Sequence, residues 1–179
     1  MKSFVLLSQR GGIPVITFSR PPANALNTEL LTQLQSILGN IPNEQPFIIT
    51  GSGPIYSAGF DLFLISTMNK PEFSDFIELF QEVLLKIKFH PSLTAVVLNG
   101  HAVAGGFIIA CAADYRFSTN SDCRVGLNEK LLGFTLPPVP QAIVEVKLKG
   151  HTQKVINSKK LLTIDELKKI PFFIECSAS

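Results

Sequence analysis

The stretch that decides the fold is Thr94-Ala95-Val96-Val97-Leu98-Asn99-Gly100-His101-Ala102-Val103-Ala104-Gly105-Gly106-Phe107. It opens as a short apolar, β-rich run, passes through a turn of small residues, and continues into Gly105–Ala113, which reads as a small-residue helix. A second stretch repeats the plan. Phe47–Thr50 is a buried strand, Gly51-Ser52-Gly53-Pro54 a glycine-rich loop, and Tyr56-Ser57-Ala58-Gly59-Phe60-Asp61-Leu62 the turn that follows. Each is a strand leading through a tight turn to a helix start.

The flanking segments extend this alternation. Phe4–Leu7 and Ile13–Phe18 read as a hairpin around Gly11-Gly12, and Pro21-Pro22 stops its second strand. Asn27 is an N-cap candidate for a helix whose apolar stripe is Leu30, Leu31, Leu34 and Leu38, ending at Gly39-Asn40. From Pro71 to Phe89 apolar residues at 73, 76, 77, 80, 83, 84 and 87 predict a long amphipathic helix. Tyr115–Ser118 is a further strand, and a Thr-x-x-Glu capping box at Thr163 and Glu166 starts a last helix over roughly 163–169. Strands alternating with helices imply an α/β fold with parallel pairing, and residues 1–179 read as a single domain without an internal linker.

Composition narrows the function. Of 179 residues 46% are hydrophobic and 17% charged, which excludes a disordered chain. A net charge of +2 without a Lys/Arg block gives no nucleic-acid footprint. Fourteen Phe against two Tyr and no Trp suit a greasy interior, a lipid-like ligand or an oligomer interface. The three cysteines, at 111, 123 and 176, are widely spaced without a CxxC, so no disulfide framework or metal site is expected. No apolar run approaches the roughly 18 residues of a membrane span, and neither a signal sequence nor a C-terminal Ser-Lys-Leu is seen. A cytoplasmic protein is the default expectation.

The two turns suggest a chemistry. A helix start leaves N–H groups unpaired at the positive end of the macrodipole, and glycine or alanine lets a ligand approach them. One such turn alone reads as a tight βα connection; two that converge would form an oxyanion hole for an enolate or a tetrahedral intermediate. Neither has the Gly-Lys-Ser/Thr of a P-loop or a GxGxxG pattern, so a nucleotide phosphate is a weak alternative.

Taken together, Arg20-Pro21-Pro22-Ala23-Asn24-Ala25-Leu26-Asn27, Ser57-Ala58-Gly59-Phe60-Asp61-Leu62, Asn99 to Gly106, Asp114-Tyr115-Arg116-Phe117 and Val125-Gly126-Leu127-Asn128-Glu129 resemble the crotonase superfamily, the enoyl-CoA hydratases and isomerases. The resemblance covers roughly residues 4–135. It implies a spiral of ββα units around a curved, mainly parallel sheet. It puts the oxyanion donors on the N–H groups of Phe60 and Gly105. Substrate or coenzyme A contacts would come from Ala23, Leu26, Ala58, Gly59, Phe60, Asp61, Leu62 and Gly105. Coenzyme A would enter only as part of the acyl-thioester substrate, with no permanently bound cofactor and no metal.

Within the resemblance, a hydratase holds water between two glutamates. The first would stand three residues beyond Gly105, where this chain has Ile108; the second falls on Glu129. One carboxylate suffices for a 1,3-proton shift, in which the carbonyl acidifies C2 and a single base carries the proton to C4. The chain therefore resembles the Δ3,Δ2-enoyl-CoA isomerases most, with Glu129 as the acid/base. Leu127, Leu131 and Leu132 around Glu129 would raise its pKa by desolvation. Asp61 is expected to cap or fix its turn, and His101 to lack a chemical role.

Two other readings stand beside the isomerase. One is a catalytically silent acyl-CoA-binding or scaffold homologue, and the other, third in order, is an enoyl-CoA hydratase. Lys160–Lys169 resembles a helix near the end of the family's catalytic core, and only Ile170–Ser179 follow it. The C-terminal helical extension is thus expected to be largely missing. A homo-oligomer, trimer or hexamer, is what the resemblance implies.

Overall fold

Gly11 and Gly12 turn the chain with φ of 57° and 79°, the left-handed pair that a two-residue hairpin loop needs. They join β1 (Val5–Arg10) to β2 (Ile13–Phe18) in antiparallel register, Arg10 opposite Ile13. In the computed structural model, which describes residues 2–127, 135–156, 160–170 and 172, this hairpin is the edge of a five-stranded sheet.

The remaining strands of that sheet are β3 (Phe47–Gly51), β5 (Thr94–Leu98) and β7 (Tyr115–Ser118), in the order β1-β2-β3-β5-β7. All pairs after the hairpin are parallel. A second sheet is built from four short strands: β4 (Ile55–Ser57), β6 (His101–Val103), β8 (Arg124–Gly126) and β9 (Leu162–Thr163). Its first three strands are parallel, and β9 closes it antiparallel.

In its middle part the chain thus visits one sheet and then the other before entering a helix. β3 and β4 precede α2 (Leu62–Thr67), and β5 and β6 precede α4 (Gly105–Ala112). This is the expected ββα repeat, in an α/β protein with mainly parallel pairing. The simpler strand-turn-helix plan read from periodicity missed β4 and β6. Three residues are too few to show a period of two.

The helices form where the apolar spacing asked for them. α1 (Thr28–Asn40) is capped by Asn27, whose side chain accepts from the Leu30 N–H at 2.9 Å, and it buries Leu30, Leu31, Leu34 and Leu38. α3 (Lys70–Lys88) starts on a capping box between Asn69 and Glu72 and buries Phe76, Phe80, Val83, Leu84 and Ile87. The two helices pack on each other, and α3 also contacts α4.

Every residue of α4 is buried, which explains its small and apolar composition. Pro138 opens α5 (Pro138–Leu148), a helix that the proline-rich sequence hides. Prolines at 138 and 140 sit in the first turn, where no intrahelical N–H is lost. α6 (Thr152–Ile156) and α7 (Ile164–Lys168) follow, the latter on the predicted Thr163–Glu166 capping box.

Candidate active site

The turn between β4 and α2 uses almost all its backbone donors. Ala58 N–H donates to the Ala23 carbonyl at 3.0 Å, Gly59 N–H to Ser57 Oγ at 3.2 Å, and Asp61 N–H to the Leu26 carbonyl at 2.9 Å. Between them, the Phe60 N–H has no partner among the described residues. Gly59 adopts φ 87°, a conformation open to glycine at no steric cost.

Three side chains pin this turn. Buried Asn24 donates to the carbonyls of Ser52 at 3.0 Å and Ile55 at 2.8 Å, and accepts from Arg20 N–H at 2.9 Å. Ser57 Oγ donates to the Asn24 carbonyl at 2.9 Å. Arg20 reaches the Ala25 carbonyl at 3.0 Å and pairs with Asp61 at 2.5 Å. Asp61 is the N-cap of α2, accepting from Leu64 N–H at 3.2 Å. Burial pushes its carboxyl up, but the Leu64 hydrogen bond and the Arg20 guanidinium outweigh this and hold it below the ordinary carboxylate range. The expectation that Asp61 fixes its turn is met.

The second turn is tied from another strand. Ala104 N–H donates to the Gly126 carbonyl at 2.9 Å, and the Ala104 carbonyl accepts the first bond of α4, from Ile108 N–H at 3.0 Å. Ala104 carries φ 51° and ψ −123°, a conformation that costs a residue with a Cβ on the order of 1–3 kcal/mol. Gly105 begins α4, and its N–H has no partner among the described residues.

The two turns interlock through glycine. A Cβ added to Gly59 would stand 2.7 Å from the Ala104 Cβ and 3.2 Å from the Gly105 nitrogen. One added to Gly105 would stand 3.1 Å from the Phe60 ring and 3.0 Å from Leu26 Cδ1. The residues singled out from sequence, Phe60 and Gly105, are therefore brought into contact, each next to an unpartnered N–H.

An apolar cavity of about 240 Å³ lies against these turns, lined by Ala58, Phe60, Leu62, Ala104 and Ile108 and by residues of α3 and α5. The remaining expected ligand contacts divide. Ala58, Phe60 and Leu62 line the cavity. Asp61 turns to Arg20, Ala23 serves the turn through its carbonyl, and Leu26 is fully buried beneath Gly105, where it supports the turn.

Glu129, with Asn128 and Lys130 to Phe134, lies outside the described residues. The chain leading to it is described: Leu127 is buried, and Gly126 holds the second turn. His101 Nδ1 accepts from Arg124 N–H at 2.9 Å, a bond that ties β6 to the start of β8 and gives the residue a structural role. Among the described residues no group of His, Cys, Asp and Glu is placed to hold a metal ion, and no helix is long and apolar enough to cross a membrane.

The periodicity of α3 located Phe73, Ile77 and Phe80 as part of the apolar stripe of an amphipathic helix, without saying what that stripe faces. In the structure all three line the cavity. The available signal was the breadth of the apolar stripe, wider than one packing face needs.

Comparison with known proteins agrees with this geometry. Residues 8–164 match the enoyl-CoA hydratase/isomerase family. The chain is 34% identical over 140 residues to the mitochondrial enoyl-CoA delta isomerase 1 of Rattus norvegicus, covering 74% of this chain and 48% of the rat protein. It is 33% identical over 136 residues to the short-chain-enoyl-CoA hydratase of Clostridium acetobutylicum, covering 73% and 52%. The chain thus spans about half the length of the curated relatives it matches.

Among solved structures, enoyl-CoA hydratase from Thermoplasma volcanium superposes with a TM-score of 0.86 at 25% identity, covering 95% of this chain and 70% of that one. Pseudomonas aeruginosa AtuE gives 0.89 at 20% identity over 99% and 71%, a likeness of fold. With the interlocked turns and the two-sheet spiral in place, the chain belongs to the enoyl-CoA hydratase/isomerase family, the crotonase superfamily.

Proposed function

We propose that this protein binds an acyl-CoA thioester with its carbonyl oxygen between the Phe60 and Gly105 N–H groups and shifts a 3-enoyl double bond to the 2-position. The observation that carries the choice of reaction is Ile108. It is 2% exposed and lines the apolar cavity three residues beyond Gly105, where hydration would need a second carboxylate. An isoleucine neither orients a water nor exchanges a proton. A 1,3-proton shift needs only one base.

That base is Glu129 in this reading. The Ala104–Gly126 hydrogen bond supports the assignment, because Glu129 is three residues beyond Gly126 and a chain of that length reaches at most about 11 Å. The thioester carbonyl acidifies C2, Glu129 takes the C2 proton, and the electron pair moves onto the carbonyl oxygen as an enolate. The two N–H groups stabilise that charge, each donor contributing about 3–4 kcal/mol to such a transition state. Return of the same proton to C4 completes the shift, so atoms balance without water, cofactor or redox partner.

The test is an absorbance assay for conjugated 2-enoyl-CoA formed from a 3-enoyl-CoA, run on wild type and Glu129→Gln. The expected result is turnover by wild type and a loss of at least about 10²-fold in the variant. Equal rates would remove Glu129 as the base. Binding of the thioester with no turnover in either protein would favour a silent acyl-CoA-binding homologue. Addition of water to a 2-enoyl-CoA at a rate exceeding the isomerisation would favour the hydratase.

A further inference from the structure

The cavity beside the turns has a definite size, about 240 Å³, and a wall built largely from helices. Its far side is made by Phe73 and Ile77, both half-buried, and by Phe80, all on α3, together with Pro137 and Pro140 at the start of α5. α3 packs on both α4 and α5, so the three helices support one another behind the cavity. The wall is also stiff near the turns. The Phe60 ring sits edge-on to Phe76 at 5.0 Å and to Phe80 at 4.8 Å between centroids, so the residue carrying a candidate donor is braced against α3. Among the described lining residues only Thr135 has a polar side chain.

We propose that this cavity accepts a straight apolar acyl chain of about eight to ten carbons and no longer, and that Phe73 and Ile77 set the limit. The proposal rests on the reading of the site as an acyl-thioester site. The length follows from volume. An apolar cavity of about 150 Å³ accommodates the six carbons of benzene, about 25 Å³ each, so the 240 Å³ here corresponds to about eight to ten carbons. Because Ala58, Phe60 and Ala104 line the same cavity, the count starts close to the carbonyl. A longer chain has to displace Phe73 or Ile77 or leave its end in water. A shorter one leaves apolar surface without contacts.

The experiment is a calorimetric titration of the full chain with saturated acyl-CoAs from butanoyl to dodecanoyl. Saturated esters carry no double bond to move, so binding is read apart from turnover. Each added methylene is expected to tighten binding about fourfold up to octanoyl or decanoyl, and dodecanoyl to gain nothing further. Ile77→Ala is expected to move the break to a chain about two carbons longer, and Ile77→Phe to one about two carbons shorter. Ile77 is half-buried, so both variants are compatible with folding, which circular dichroism checks. Affinity still rising at dodecanoyl, or a break that neither variant moves, overturns the proposal while leaving the acyl-thioester reading intact. Failure of every ester to bind overturns both.

Discussion

The Arg20 guanidinium meets the Asp61 carboxylate at 2.5 Å, and the second oxygen of that carboxylate caps α2 through Leu64 N–H at 3.2 Å. One side chain therefore ties Arg20 to the first turn of α2, directly after Phe60. Asp61→Asn retains an acceptor for the cap but loses the ion pair, which is three-quarters shielded from solvent. We expect a loss of about 1–2 kcal/mol near neutral pH. The sign of the pH dependence follows from the lowered pKa of Asp61. The stabilisation is complete above the carboxyl's unfolded value and is lost as pH falls through the folded one. Thermal melts of wild type and Asp61→Asn should therefore differ at pH 7 and converge in acid. A gap that stays constant below pH 3 would show that the ion pair is not its source.

Gly106 packs on the first turn more tightly than Gly105 does. A Cβ there would lie 2.7 Å from the Ser57 Cβ and 2.8 Å from the Ser57 carbonyl oxygen, and a backbone atom cannot swing aside. Gly106→Ala is expected to cost about 1–3 kcal/mol and to spread the two turns. Gly105→Ala meets only the Phe60 ring and a Leu26 methyl, so its cost in stability should be smaller. Its effect on the proposed isomerisation should still be large, because displacement of a reacting group by about 1 Å is worth about 10²-fold. Denaturant melts and kcat for the two variants separate these effects. Equal stability losses would contradict the difference in what each Cβ meets.

How much of this was readable beforehand depended on the length of each signal. The α1 stripe of Leu30, Leu31, Leu34 and Leu38, the Asn27 cap and the long α3 follow from periodicity and capping chemistry alone, and the structure matches them nearly residue for residue. β4, β6 and β8 have three residues each, so the second sheet exists only through pairing with distant segments. At the site, the glycine turns are visible in one dimension, while the roles expected of Phe60, Gly105 and Ile108 came from the resemblance to the crotonase superfamily. The pins were not visible in either way. Asn24 and Ser57 act across chain separations of about thirty residues, and no local pattern reports such a bond. Phe73 and Ile77 were found as helix-stripe residues, but a cavity wall and a core face carry the same residue types, so the stripe could not tell one from the other.

Lys147, half-buried on α5, lies near two other cations, Arg116 and Lys88. Burial first, and then those charges, lower its pKa to about 8. Between that value and the usual 10.5 the unfolded chain binds more protons than the folded one, so stability rises with pH across this window. Below it, the charged amine is a constant penalty. Lys147→Met keeps the length and removes the charge. It should stabilise the protein at pH 7 by about 1 kcal/mol, after allowance for solvent screening of a half-exposed group. By pH 10 the advantage should have shrunk. Melts at both pH values decide this, and an advantage that grows with pH would reverse the assignment.

Arg116 is 3% exposed, and burial lowers its pKa, yet its guanidinium donates only to carbonyl oxygens among the described residues. These are Ala113, at 2.5 Å, and Asp114, at 2.9 Å, both at the end of α4, and Phe172 from the C-terminal part of the chain. The C-terminus of a helix is where a cation is favoured, so burial is offset by the dipole and by three charge-assisted bonds. Phe172 adds a second tie, stacking on Phe107 of α4 at 5.2 Å while its ring faces the guanidinium at 5.4 Å. Arg116→Lys supplies a point charge in place of a planar fork and cannot reach all three carbonyls. It should cost about 2–4 kcal/mol, nearly as much as Arg116→Met, because unsatisfied buried carbonyls dominate both. Proteolysis adds a local readout. If Arg116 anchors Phe172 to α4, either variant should open the chain to cleavage at Phe172 well below the global melting temperature. Cleavage that begins only with global unfolding would show that the segment is held by other contacts.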